Sequence, residues 1–407
     1  MKSGPIRVLA RLFGGEGKSA TVLDSLPNVI SYPESRSGVT VGGLGALEVT
    51  TVLDCVRVLA EGIAQVPLKV YRPAKGGRGS DPATDHPLYK LLYKRPNPWQ
   101  TSFEFREMLM VHLALCGNAY VFKNYVGGEL YELVPLEPKR VTVQRAADLS
   151  LSYRVIAENG SSQVFPAASV WHLRGLSWDG WRGLDTIKLA REAVGLAVAT
   201  EAAHARLHKN GVQSSGVYSV SGELKGDQYK QLSKWIYDHI AGGNSFKPLI
   251  LDRSAAWTPT AMKGVDAEHL NTRKMQIEEI CRAFRVFPQM VGHAGDQTPT
   301  FASAEQFFTA HVVHTLGPWF SRIEQSAGVN LIADDDDAFV RFTVNGLMRG
   351  AMKDEAEYFA KALGSGGSRG WLTANEVRNL KDMNPEDGGD ELPQPIVSAP
   401  PAPKKEG

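Results

Sequence analysis

The sequence predicts an α+β protein, on three observations. Apolar residues recur at intervals of three and four across residues 52–66, as on one buried face of a helix. Between residues 119 and 173, short runs rich in Val, Thr and Tyr flank the turn pairs Gly127-Gly128 and Asn159-Gly160, as in antiparallel hairpins. After Trp178 the pattern changes to long helical stretches. In a chain of 407 residues, a hydrophobic content of 43% suffices for sizeable cores and excludes wholesale disorder.

Residues 1–45 carry scattered Gly and Pro without sustained periodicity and read as weakly ordered, with order beginning near Ala46. Val52, Cys55, Val56, Leu59, Ile63 and Val66 mark the first helix, which Pro67 breaks. Leu68, Val70 and Tyr71 suggest a short strand. A helix through Phe103, Leu109 and Leu113 ends near Cys116, where Gly117-Asn118 suits a left-handed cap. Strands are expected at 119–125, 129–134, 140–144, 151–157, 163–165 and 170–173, giving a largely antiparallel sheet. An Ala-rich helix follows at 184–209. A strand at 217–220, a helix at 227–240 and a strand at 248–251 then form a small module bounded by glycines. A second long helix is expected at 266–287, stopped by Pro288, then a loop at 291–302 and a third long helix at 303–327, in which Pro318 predicts a kink. A strand at 339–344 and helices at 354–363 and 373–383 complete the ordered part. Thr373 and Glu376 have the spacing of a capping box. Five prolines among polar or small residues from Gly388 onward read as a disordered tail.

Lys and Arg number 45 against 44 Asp and Glu, a net charge of +1, which excludes a protein that coats nucleic acid through a global positive field. The three cysteines, Cys55, Cys116 and Cys281, lie far apart with no C-x-x-C pair. Neither a disulfide framework nor a zinc ribbon is expected, and a reducing compartment fits. The first 15 residues lack the continuous apolar core of a signal peptide. The apolar run at 108–122 falls short of the ~20 residues of a membrane span. The expectation is a soluble, intracellular product with no membrane partner.

No motif carries catalysis. Gly14-Gly15-Glu16-Gly17-Lys18-Ser19 ends like a phosphate loop, but Leu12 stands where the pattern needs glycine. The four consecutive carboxylates at 334–337 lack the spacing of a calcium loop and read as solvated. His204 and His208 are one helical turn apart without the acidic residue of a zinc-protease helix, and His311 and His314 have no evident ligand partner. No catalytic residue, metal or cofactor is therefore expected. In the glycine-bounded module, Lys225, Lys230, Lys234, Lys247 and Arg253 are balanced by Glu223, Asp227, Asp238 and Asp252.

Several strings, in a fixed order, carry a resemblance. Val56-Arg57-Val58-Leu59-Ala60-Glu61-Gly62-Ile63-Ala64 precedes Val66-Pro67-Leu68-Lys69-Val70-Tyr71-Arg72. His86-Pro87-Leu88-Tyr89, Arg95-Pro96-Asn97-Pro98-Trp99-Gln100-Thr101 and Gly117-Asn118-Ala119-Tyr120 follow. Then come His172-Leu173-Arg174-Gly175-Leu176, Lys209-Asn210-Gly211, Thr272-Arg273-Lys274 with residues 277–284, Pro318-Trp319, Arg322-Ile323-Glu324 and residues 346–350. From about Leu47 to Asp390 this order resembles the portal, or head–tail connector, family of tailed bacteriophages, in its shorter branch.

The resemblance implies an α+β portal-like protomer assembled as a ring. It would comprise a flexible segment at 1–45, a wing at 46–183, stem helices at 184–210 and 263–290, and a small α/β clip at 211–262. A tunnel loop at 291–302, a kinked helix and strand at 303–349 returning to the wing, a helical crown at 350–387 and a tail at 388–407 would follow. It implies a dodecameric homo-oligomer around a channel for double-stranded DNA, docked to the packaging motor (large terminase), neck proteins and capsid or scaffold protein, at the portal vertex of the virion after assembly in the host cytoplasm. Gly292, His293, Gly295, Asp296, Gln297, Thr298, Pro299 and Thr300 would face the DNA. Lys225, Lys230, Lys234, Trp235 and Lys247 would belong to the docking clip. A conduit must pass DNA without holding it, which suits a chain that is not strongly cationic, and a closed ring needs head-to-tail interfaces. The rival readings are a packaging motor or nuclease, and a capsid-associated adaptor without a channel.

Overall fold

The computed structural model describes residues 34–73, 80–210, 216–219, 226–227, 229–231, 233–234, 256–259, 265–293, 301–344, 352–365, 369–380 and 385–393. In chain order the elements are helix α1 (Thr50–Ala64), strands β1 (Leu68–Pro73) and β2 (Ser80–Pro82), helices α2 (Pro87–Tyr93) and α3 (Ser102–Cys116), and strands β3 (Asn118–Val126), β4 (Glu129–Leu136), β5 (Val141–Arg145), β6 (Leu151–Ile156), β7 (Ser162–Pro166) and β8 (Val170–Arg174). Then come α4 (Thr186–Leu189), α5 (Arg191–Asn210), β9 (Gly216–Ser219), β10 (Ala256–Pro259), α6 (Val265–Phe284), α7 (Phe301–Ala310), α8 (Gly317–Leu331), β11 (Phe339–Phe342), α9 (Met352–Ala362) and α10 (Ala374–Leu380).

Several expectations need correction. Residues 34–45, expected to be weakly ordered, are structured: Glu34 bridges Thr40, and the Arg36 amide donates to Glu192 Oε2 at 3.0 Å. The helix expected at 184–209 is split at Ala190 into α4 and α5. The helix expected at 266–287 stops at Phe284, because Arg285 turns into the left-handed region at φ 56°. The partner of β9 is β10, in antiparallel register Trp257↔Tyr218; the strand expected at 248–251 lies outside the described residues. The helix expected at 303–327 runs from Phe301 to Leu331 with a π-helical stretch, His311–Leu316, immediately before Pro318. There the Gly317 amide reaches back five residues to the Val312 carbonyl. A one-residue expansion next to a proline that offers no N–H is a local alternative to a sharp bend. The chain also stays pinned beyond Gly388: Asn375 Nδ2 donates to Asp390 Oδ1 at 3.0 Å, and its amide to the Gly389 carbonyl at 2.9 Å.

The chain divides into two compact units. The second comprises Gly62–Glu107, Lys123–Val134 and Pro299–Gly407. Its sheet has the order β11-β1-β2, antiparallel throughout, with Leu68 opposite Phe342. Helices α2 and α8 pack on this sheet, with Phe320 and Phe342 ring centres 4.8 Å apart. Glu324 of α8 accepts the Phe342 amide at 2.7 Å, satisfying a donor on edge strand β11. Buried Arg106 donates to the Ala64 carbonyl, at the end of α1, and to the Leu92 carbonyl, in the last turn of α2; it also contacts Ser102 Oγ. Its charge is thus met by two helix C-termini, and burial lowers its pKa to about 10, so it stays protonated at neutral pH. Asn97 holds the Arg95–Thr101 turn: Oδ1 accepts the Gln100 amide at 2.9 Å while Nδ2 donates to Gln100 Oε1 and to the Leu133 carbonyl. His86 caps α2 by accepting the Leu88 amide on Nδ1, which leaves Nε2–H to donate to Asp336 Oδ2 at 3.1 Å.

The first unit comprises Met1–Glu61, Met108–Phe122 and Pro135–Thr298. Tyr120, Leu136, Val141, Tyr153, Val155 and Val170 form its sheet core, flanked by Phe122 and Phe165. Two of the strings singled out in the sequence meet here, because β3 pairs antiparallel with β8: Asn118 lies opposite Arg174 and Tyr120 opposite His172. Gly117, at φ 67°, ends α3, and a Cβ there would lie 1.9 Å from the Leu184 carbonyl oxygen. A Cβ on Gly183 would lie 1.8 Å from the Gly117 oxygen. Asn118 fills the crossing. Its Nδ2 donates to the carbonyls of Cys116 (2.9 Å) and Gly183 (3.0 Å), and its Oδ1 accepts from the Gly183 amide (2.7 Å) and His172 Nε2 (3.0 Å). With Nε2 donating, Nδ1 is the acceptor, so Tyr153 Oη donates to it at 3.2 Å. Burial, with a smaller effect from Arg174, lowers the His172 pKa to about 3.

Two predictions follow from this crossing. Gly117→Ala should cost more than about 3 kcal/mol in urea unfolding, through backbone collision as well as positive φ. Gly127→Ala, at φ 66° with nothing within 4 Å of the added Cβ, should cost only about 1 kcal/mol; equal costs would contradict the crossing. The second concerns pH. Neutral His172 is the folded form, so the unfolded chain binds the extra proton. Its contribution is complete above the reference pKa of 6.5 and is lost as pH falls toward about 3, by about 1.4 kcal/mol per unit. His172→Gln should remove that share of the slope in urea midpoints measured from pH 7 to pH 4.

Candidate functional site

Three surfaces of the first unit are candidates for a functional role. The loop between β8 and α4 is stiff. Asp179 Oδ1 accepts the amides of Trp181 (3.0 Å) and Arg182 (2.8 Å), Ser177 Oγ accepts the Gly180 amide at 2.9 Å, and Arg174 Nη1 donates to the Gly180 carbonyl at 2.7 Å. Against the raising effect of desolvation, those amides and the Arg182 guanidinium hold the Asp179 carboxyl at about 2. The guanidinium also lies 4.0 Å from the Trp181 ring centre. On this frame Trp178 is 91% exposed. In the sequence Trp178 marks only a change of pattern, and the Asp179–Arg182 spacing of a capped turn is the signal that points to this loop.

The second surface is the helix pair α5 and α6. Gln276 Nε2 donates to Thr200 Oγ1 at 3.2 Å, and a groove beside it is lined by Val49, Thr50, Ala197, Glu201, Arg273 and Ile280. Glu34–Thr40 packs on α5 where Gly195 leaves room, since a Cβ there would meet Ser35 Oγ at 2.4 Å. Helix α6 ends in a Schellman turn: the Val286 amide donates to the Cys281 carbonyl at 3.0 Å and the Arg285 amide to the Arg282 carbonyl at 3.2 Å. Arginine takes the left-handed position that glycine usually fills, so sequence gave no signal for this stop.

The third surface is the segment that leaves this turn. Pro288–Val291 is a 3-10 turn, Gly292 follows at φ 77°, and the His293 amide donates to the Pro288 carbonyl at 2.9 Å. Val291 therefore belongs to a turn, and Phe301 and Ala302 to α7, where sequence placed all three in the loop. Of the residues expected there, Gly292 and His293 are described; Gly295, Asp296, Gln297, Thr298, Pro299 and Thr300 lie outside the described residues. In the expected clip, Lys230 and Lys234 are helical and exposed, while Lys225, Trp235 and Lys247 lie outside the described residues. Among the described residues no group of His, Cys, Asp and Glu is placed to hold a metal ion, and no helix is long and apolar enough to cross a membrane.

Comparison with known proteins gives a consistent result. The family model for phage portal protein matches residues 50–382. The portal protein of Enterobacteria phage HK97 is 30% identical over 348 residues, covering 84% of this chain and 81% of its own. The probable portal protein of Streptomyces phage phiC31 is 28% identical over 364 residues, covering 86% and 78%. In fold, the chain matches an HK97-family phage portal protein from Corynebacterium diphtheriae with a TM-score of 0.59 at 16% identity, covering 78% of this chain and 99% of that one. It also matches a chain of the native gene transfer agent particle with a TM-score of 0.58 at 22% identity, covering 93% and 99%. With a matched region that includes both crossing strings, α5, α6 and the segment after them, the chain belongs to the phage portal protein family, whose members are structural proteins and not enzymes.

Proposed function

We propose that the chain is the subunit of a closed ring at the capsid vertex, through which double-stranded DNA enters during packaging and leaves on ejection. The observation that carries this reading is the helix pair α5 and α6 bracketing the β9–β10 module within the region matched to the portal family. In it, α5 and α6 are the stem, the module between them is the clip that docks the packaging motor and later the neck proteins, and residues 350–387 are the crown. The segment from Gly292 to Thr300 faces DNA. Of its residues only Asp296 is formally charged, so the segment offers no cation to grip phosphates. Its two glycines permit backbone conformations closed to other residues. The net charge of +1 lets many copies meet without strong mutual repulsion. The exposed indole of Trp178 on a stiff loop suits a subunit contact, because a preorganised aromatic loses little entropy on binding.

Three experiments test the reading. Sedimentation of the purified chain should give a discrete multiple of 44.4 kDa, with twelve copies expected. Trp178→Ala should shift assembly to concentrations about tenfold higher without changing the far-ultraviolet circular dichroism. A 44.4 kDa species at every concentration and salt would contradict ring formation. Deletion of residues 296–300 should leave rings intact and lower the amount of DNA retained in particles; normal retention in intact rings would remove the gating role.

A further inference from the structure

Two of the three cysteines meet in the first unit. Cys55 on α1 and Cys281 in the last turn of α6 have Sγ atoms 3.9 Å apart, with the Cys55 S–H directed at Cys281. The two residues are 0% and 1% exposed, and neither is in a disulfide, nor is Cys116 on α3. Distance along the chain had argued against any pairing; the packing of α6 beside α1 brings these two together.

We propose that Cys55 and Cys281 form a latent cross-link site, which closes to a disulfide in an oxidising environment and staples α6 to α1. A disulfide has its sulfurs about 2.05 Å apart, so closure requires the two sulfurs to approach by about 1.9 Å. The Val286-to-Cys281 bond fixes the backbone that presents the second thiol. Burial shields the pair from thiols of other chains, and the neighbouring thiol resolves any small mixed disulfide, so the pair closes on itself. The hydrogen bond to Cys281, together with burial, raises the Cys55 pKa, which makes Cys281 the first attacking group. As a thiolate, Cys281 attacks a small disulfide oxidant such as oxidised glutathione and releases one reduced thiol, leaving a mixed disulfide. Cys55, losing its proton, then displaces the second thiol and completes the cross-link. Two protein thiols are oxidised, and one small disulfide is reduced to two thiols. Because both sulfurs are covered, the rate is set by transient opening at the end of α6 and is slow while the protein is folded. The closed loop spans just over half of the chain, and a long loop is where a cross-link most restricts the unfolded state.

The test uses the full chain exposed to oxidised glutathione in two ways: folded, over days, and during refolding from urea in a glutathione redox buffer. The expected product, in denaturing mass spectrometry, is a single chain lighter by two hydrogens with no covalent link to another chain, and peptide mapping joins Cys55 to Cys281. Its melting temperature should rise by several degrees, reversibly on adding dithiothreitol. Cys116→Ser should behave like the parent, and Cys55→Ala and Cys281→Ala should show neither the mass change nor the rise. Absence of the link from both samples overturns the proposal. So does a stable glutathione adduct, a link to Cys116, or a cross-linked chain that melts no higher than the reduced one.

Discussion

Two backbone segments cross at Gly117 and Gly183 with no space for a Cβ on either, and much of the first unit is arranged around that contact. The crossing sets where α3 ends, where β3 begins and how the chain leaves β8 toward α4 and α5. Asn118 serves both segments with one side chain, through the hydrogen bonds that a carboxamide can make and a carboxylate cannot. His172 and Tyr153 extend the network into the sheet core, where Tyr120 stacks on the imidazole at 4.4 Å between ring centres. The stiff loop carrying Trp178 starts and ends at the same place, since the Leu184 amide donates to the Leu176 carbonyl and the Gly175 amide to the Gly117 carbonyl. A surface feature is thereby tied to a buried steric constraint.

The second unit shows the same economy with charge. Arg106 is buried among carbonyls at the ends of α1 and α2 and the hydroxyl of Ser102, which together occupy its guanidinium. Lys123 likewise reaches the Asn330 carbonyl near the end of α8 at 2.8 Å. Both cations stand where helix dipoles are negative, so each helps to fix a helix end. Within the Arg95–Thr101 string, Asn97 likewise answers specific backbone groups, the Gln100 amide and the Leu133 carbonyl.

Much of this was legible in the sequence where the determinant is local. The capping box at Thr373 and Glu376 forms as expected, with both reciprocal bonds made, and Gly127 and Gly128 take the positive φ that their hairpin needs. The capping box at Thr101 and Glu104 has the same signature and went unread. What sequence could not show depends on distant partners. Arginine at the left-handed end of α6 breaks the residue preference for that position, and the π-helical stretch before Pro318 was expected only as a kink. The Glu34–Thr40 segment is polar and glycine-bearing, so its order comes from Glu192 and the gap at Gly195, far along the chain. Cys55 and Cys281 looked unrelated for the same reason. In the candidate site, the glycines and the sparse charge of residues 292–300 were readable, whereas the Asn118–His172–Tyr153 network was not, because no spacing in one strand announces a partner in another.

On the proposed reading, a passive conduit asks for a lining that does not bind phosphate. The most direct test is a cryo-electron microscopy reconstruction of the purified chain at side-chain resolution. The account predicts a closed ring with the Gly117–Gly183 crossing intact in every subunit and residues 292–300 on the wall of the central hole. A particle without a central hole, or a ring with those residues on its outer surface, would contradict it.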